Sequence, residues 1–223
     1  MFGAMGLVHA ACGVILMSFA IGFYRHKPDI QKYESILSGM PLFAQAMFTT
    51  FLIIILAGGL GLGSGPVNVP AQLIDTFGLI VHEGGHFLMS LACDFIHTFG
   101  GTLFEVGVPA GLAIWFLLSN CYRLGACALA WMSVALFSVA RYASDAQDLE
   151  LNLLGASGSL EDKMIGHDWY NMLGSLGLLD ATPVVSDVIW SMALVAGLAA
   201  VALSSWAVYI DHRAKAVFDQ KLS

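Results

Sequence analysis

The chain has 223 residues, of which 58% are apolar and only 11% charged, with a mean hydropathy of +0.78. Soluble domains carry about 25% charged residues, so this composition is that of a polytopic membrane protein whose first partner is the lipid bilayer. A formal net charge of −7 gives no reason to expect nucleic acid as a partner.

Taken in order, residues 3–24 form an apolar run with no basic leader. It is too long for the apolar core of a signal peptide, and it predicts an uncleaved span in which His9 is a packed or interfacial histidine. Residues 25–39 read as a polar connector, and 41–62 as a second span with Pro41 in its first turn. The stretch GGLGLGSGPVNVP then breaks the helix. A third span is predicted over 72–94. Gly100-Gly101 reads as a turn before a short fourth span over 102–119, which contains Glu105 and Pro109, and a tight link leads to a fifth over 121–141. Residues 143–187 form a polar segment, 188–210 a sixth span, and Asp211 begins a polar tail. The expected fold is therefore all-α: one integral membrane domain of about six transmembrane helices, with the polar segment between the fifth and sixth. Cys12, Cys93, Cys121 and Cys127 fall in or beside apolar runs without the spacing of a disulfide framework, and read as small packing residues.

The third span carries His82-Glu83-Gly84-Gly85-His86. On a helix, residues four apart share a face, so His82 and His86 direct their imidazoles at one point. Glu83 is offset around the helix, where it reaches a water on a metal rather than the metal itself. Zinc takes two such nitrogens, one more protein ligand and an open position for that water. With seven His and five Glu in the chain, a chance match to this pattern is expected about 0.005 times. A charged group in a membrane helix costs about 2.5–3.5 kcal/mol on insertion scales, so three such groups within five residues call for a metal or a wet cavity. Gly84 and Gly85 allow another backbone, of a packed helix or a substrate strand, to approach closely.

The third ligand has several candidates. The end of the third span and the polar segment are separated by two membrane crossings, so they lie on the same side in either orientation. The polar segment holds Gly166-His167-Asp168-Trp169-Tyr170-Asn171, followed by Trp169, Leu173, Leu176 and Leu179 at helical spacing. Asp168 stands at an N-cap position of that short helix, and either His167 or Asp168 suits the third place on zinc. Glu105 follows His86 at a spacing used by zinc peptidases with a glutamate ligand, and reads alternatively as a group that meets substrate backbone. Asp145, Asp148 and Glu150 read as a solvated helix end, with Asp145 a support for the ligands. Residues 155–158, with Gly155 and Gly158 at their ends, suit a mobile lid.

An apolar helix bearing HEGGH in a small multi-span protein resembles the site-2 protease group of intramembrane zinc metalloproteases. The specific match covers residues 72–94. A looser one, to small bacterial relatives without a PDZ-like domain, runs through GGTLFEVGVP, ARYASDAQDLEL and GHDWYNMLGSLGLL. The resemblance implies zinc ligation by His82 and His86, Glu83 as general base, and Asp168 as nearest counterpart of the family's distant aspartate. No Leu-Asp-Gly or Asn-Pro-Asp-Gly sequence, where that aspartate normally lies, is present. An amide often stands at the place of Glu105 in the looser relatives, which implies substrate contact there. The expected function is a zinc metalloendopeptidase in a bacterial cell membrane, hydrolysing membrane or membrane-adjacent segments of protein or peptide substrates. The same activated water also serves a zinc-dependent membrane amidase or lipid hydrolase, and a non-enzymatic scaffold or transporter is the remaining class. Intact Glu83 argues against a silent scaffold, and the lack of paired broken helices argues against a transporter.

Overall fold

The computed structural model describes residues 4–26, 28–62, 65–153 and 159–222. Among them every regular element is helical: α1 (Ala4–His26), α2 (Ile30–Ser38), α3 (Leu42–Gly59), α4 (Val69–Leu88), α5 (Asp94–Leu118), α6 (Tyr122–Ser144), α7 (Leu160–Gly166), α8 (Asp168–Ser175) and α9 (Thr182–Leu222). Short 3-10 turns precede α4 and α9. Four stretches are long and apolar enough to cross a membrane: Leu42–Gly59, Asp94–Leu118, Tyr122–Ser144 and Leu179–Val217. The apolar part of α1, Gly6–Gly22, is shorter, and α4 is diluted by Asp75 and the HEGGH residues. Residues 154–158, the expected lid among them, lie outside the described residues.

Two boundaries differ from expectation. α4 stops at Leu88 rather than running on to Asp94, which instead opens α5. Gly100-Gly101 lies inside α5, not in a turn. The physical reason is close packing: a Cβ on Gly85 would overlap the Gly100 carbonyl, and one on Gly100 would meet the Gly85 carbonyl at 2.9 Å. The glycines are there to let α4 and α5 touch backbone to backbone, a use that tolerates the helical conformation despite glycine's low propensity. The polar connector 25–39 also folds in part, as α2, capped by Asp29, whose carboxylate accepts from the Lys32 N–H.

The chain divides into two compact units. The first comprises residues 1–27, 73–107 and 135–193, and it holds the HEGGH motif and the polar segment. Within it, Gly13 of α1 lies against Phe87 of α4, Ser186 of α9 donates to the Ala140 carbonyl of α6 at 3.1 Å, and Trp190 meets Phe137 edge-on.

The second unit comprises residues 28–72, 108–134 and 194–223 and is built on a buried arginine. The Arg123 side chain is 4% exposed and reaches Glu34 of α2 at 3.4 Å, the Gln45 amide oxygen of α3 at 2.9 Å, and Asp211 of α9. Glu34 also accepts the backbone N–H groups of Arg123 and Leu124, capping the start of α6. Farther along, Thr49 and Ser204 share a 2.8 Å hydrogen bond, and a Cβ on Gly197 would come within 2.9 Å of Ser133 Oγ. Small residues and hydroxyls thus bring these helices close, as packing in an apolar solvent demands.

Two measurements follow. Gly85→Ala is expected to destabilise by about 1–3 kcal/mol, read as a lower unfolding temperature in detergent, because the new methyl has no space. Gly107→Ala, where a Cβ meets nothing within 4 Å, is the control and should be neutral or gain up to about 1 kcal/mol. Arg123→Leu should cost about 3–5 kcal/mol by stranding Glu34, and Glu34→Gln in the same chain should recover part of that loss.

Candidate metal centre

α4 presents Val81, His82, Glu83, Gly84, Gly85 and His86 as one continuous buried run. His82 Nε2 and His86 Nε2 are 3.2 Å apart, and Asp168 Oδ2 lies 3.0 Å from the first and 3.1 Å from the second. Asp168 is the first residue of α8, so its carboxylate also stands at a helix start, where the aligned N–H groups favour negative charge. The polar segment therefore folds back onto α4.

The far side of each imidazole is already committed. His82 Nδ1 is 2.9 Å from Glu105 Oε2, and His86 Nδ1 is 2.9 Å from the His97 carbonyl oxygen. A carboxylate and a carbonyl only accept, so each Nδ1 donates, and a ring without a second proton presents a lone pair at Nε2. Two nitrogen lone pairs and a carboxylate oxygen converging at 3.0–3.2 Å repel one another unless a cation lies between them. That cation is either a metal ion or protons shared with Asp168. A tetrahedral zinc with ligands at about 2.0–2.2 Å separates its donors by roughly 3.3–3.6 Å, within a few tenths of an ångström of this spacing. The donor set of two imidazoles and one carboxylate suits zinc, and carboxylate and carbonyl partners on Nδ1 are the usual supports of histidine ligands.

Space for the cluster comes from Gly101 on α5. A Cβ there would fall 2.5 Å from His82 Nε2 and 2.6 Å from His86 Nε2.

The other candidates take different places. His167, at the N-cap of α8, accepts the Tyr170 N–H through Nδ1 at 3.2 Å, and its Nε2 lies 3.4 Å from Asp145 Oδ2. Burial pushes its imidazole below the usual histidine value against the pull of Asp145 and Asp168, so the ring is neutral with its proton on Nε2. Of the two residues expected to offer the third ligand, Asp168 lies within the group of converging donors and His167 lies outside it. The N-cap assignment is corrected, since His167 fills that position and leaves Asp168 free to face α4. Glu105 is 6% exposed and engaged with His82, so it supports a histidine instead of joining the donor group. It does line the cavity beside the cluster, where substrate contact was expected.

Asp168 is held from several sides. Its backbone N–H donates to the Tyr142 hydroxyl at 3.0 Å. Burial raises its carboxyl; where protons are shared from the Nε2 atoms, hydrogen bonds from His82 and His86 outweigh that and hold it well below the ordinary carboxylate range. Asp145 accepts the N–H groups of Glu150 at 2.8 Å and Leu151 at 3.1 Å. It thereby fixes a turn in which Leu149 adopts φ 53, a left-handed conformation costly for a side chain of that size. Lys163 of α7 donates to the Leu149 and Glu150 carbonyls at 2.7 and 3.2 Å and closes this strap.

Glu83 is buried and stands outside the three-donor group, its Oε2 lying 2.8 Å from His9 Nε2 of α1. The His9 ring is 5.0 Å from that of His86 and 6.2 Å from that of His97. Sequence alone did not single out Tyr142 or His97, read Gly101 only as part of a turn, and placed His9 as a packed or interfacial histidine; none has a motif spacing. The groups surround a cavity of about 690 Å³ that His9, Glu83, Asp168, Tyr142 and Arg141 all line. Arg141 pairs with Asp75 at 3.3 Å on that wall.

Loss of a carboxylate that orients a histidine ligand typically weakens metal binding 10–100-fold. Glu105→Ala is therefore expected to raise the zinc dissociation constant by about that factor, measured by competition with a chelator, while the protein remains folded. Comparison with family models, with curated proteins and with solved structures returns no match to this chain.

Proposed function

We propose that this chain is a membrane zinc metalloendopeptidase of the site-2 protease type, with His82, His86 and Asp168 as zinc ligands and Glu83 as general base. The observation that carries the reading is the convergence of three donors, two of them imidazoles whose Nδ1 atoms are already engaged, with a buried carboxylate one residue along the same helix. Six membrane spans are part of the proposal. At 1.5 Å per residue, the 23 residues of α1 and 20 of α4 reach about 30 Å, the thickness of a bilayer's hydrocarbon core. They join the four stretches that are both long and apolar enough to cross.

Zinc, when bound, polarises the scissile carbonyl and makes water acidic enough to attack near neutral pH. The chain's own residues do the rest. His82 and His86 hold their Nε2 atoms in place through the Glu105 and His97 contacts. Glu83 takes a proton from the attacking water and returns it to the leaving amine, the two-way proton transfer a general base of this position performs. The cavity lined by Asn152, Asn171 and Ser138 admits water and an extended substrate segment to a helix otherwise surrounded by apolar neighbours. Hydrolysis at a membrane protein needs such a wet recess.

The test is metal content by elemental mass spectrometry on detergent-purified protein, followed by hydrolysis of single-span peptides in nanodiscs. Wild type should hold about one zinc per chain and His86→Ala none. Glu83→Gln should keep its zinc and lose at least about 100-fold in kcat. Wild type that neither purifies with nor takes up zinc would sink the proposal. Zinc-dependent turnover of lipid without cleavage of any peptide would move the substrate class to membrane amides or lipids.

A further inference from the structure

We propose that His9 of α1 is the positioning residue for Glu83, so that the catalytic machinery draws on α1 as well as on the motif helix and the polar segment. The role assigned to Glu83 rests on the peptidase proposal, whereas the coupling between the two side chains rests on geometry alone. The contact is 2.8 Å between His9 Nε2 and Glu83 Oε2, with the two side chains 20% and 8% exposed. At 2.8 Å the two groups are at ion-pair distance, although the imidazole N–H is not aligned for a hydrogen bond to Oε2, and His9 is the polar group set against this buried carboxylate.

The position of His9 is built. Gly84 packs against α1: a Cβ there would stand 3.3 Å from the Cys12 carbonyl oxygen and 3.3 Å from Leu16 Cδ2. Cys12 follows His9 by three residues and shares its face of the helix, so the close approach at Gly84 sets the height at which His9 meets Glu83. The two glycines of the motif thereby have separate uses, Gly84 admitting α1 and Gly85 admitting α5. The His9 ring is held on its other sides by those of His86 and His97, tilted 36° and 68° to it. His9 and Glu83 both border the cavity. A base held in one rotamer at the cavity wall meets water in a fixed direction, and loss of such orientation is felt in kcat more than in substrate binding.

The experiment compares His9→Gln with His9→Asn. A glutamine places an amide N–H near the position of Nε2, while an asparagine of equal polarity falls short of it. Zinc content, kcat and KM are measured for both, and unfolding temperatures for each variant alone and combined with Glu83→Gln. His9→Asn should lower kcat about 10–100-fold with zinc content and KM unchanged, and His9→Gln should recover most of that loss. The unfolding temperatures should be non-additive, as for residues in contact. A kcat for His9→Asn equal to wild type, a glutamine variant no better than the asparagine one, or a loss of activity matched by loss of zinc would overturn the proposal. If wild type binds zinc but cleaves no peptide, the peptidase reading fails. The thermal cycle then decides the coupling by itself, with additive effects overturning it and non-additive effects upholding it.

Discussion

Three electron-rich atoms, Nε2 of His82, Nε2 of His86 and Oδ2 of Asp168, meet at the end of α4 within 3.2 Å of one another. His82 and His86 cannot turn away, because their Nδ1 atoms are hydrogen-bonded to Glu105 and to the His97 carbonyl. Asp168 cannot withdraw without giving up the start of α8 and the Tyr142 hydrogen bond. Much of the first unit follows from maintaining this arrangement. Gly101 makes room for the imidazoles, Gly85 and Gly100 bring α5 near enough to supply Glu105 and His97, and the Asp145 turn with Lys163 leads the chain back to Asp168. On the proposed reading a bound cation offsets the repulsion within the cluster, which would link folding and cation binding in one equilibrium.

The second unit resolves a similar problem without a cation from solution. Arg123 is itself the positive charge, enclosed by Glu34, Gln45 and Asp211 from three other helices. A buried ion group of this kind contributes little net stability beside a well-packed apolar equivalent, yet removal of any one member is expensive. Its effect is to dictate which helices meet and in what register, since only one arrangement leaves no charge unpaired.

The all-helical character and the apolar runs were legible because hydropathy and helix period are local properties. His82, Glu83 and His86 were legible because their spacing has meaning within a single turn. Asp168 was legible only through topology: counting membrane crossings put its segment on the same side as the end of α4, but could not rank it against His167. Only the fold separates the two, bringing Asp168 to the histidine pair and leaving His167 at the N-cap of α8. Gly100-Gly101 was misread as a turn because a glycine pair signals a bend and a close helix crossing equally well. His9, Tyr142 and Gly101 act across long sequence separations with no pattern to announce them, and only the folded chain shows where they stand.

The separation between His86 and Asp168 also has a meaning in time. Their contact spans 82 positions, and ribosomes add about 5–20 residues each second, so the aspartate is made roughly 4–16 s after the histidine. Throughout that interval α4 carries two imidazoles and a glutamate with no third partner, while α5 and α6 are still being put in place. The site thus waits on α7 and α8, with only α9 still to follow, and a chain interrupted anywhere before them is born without it.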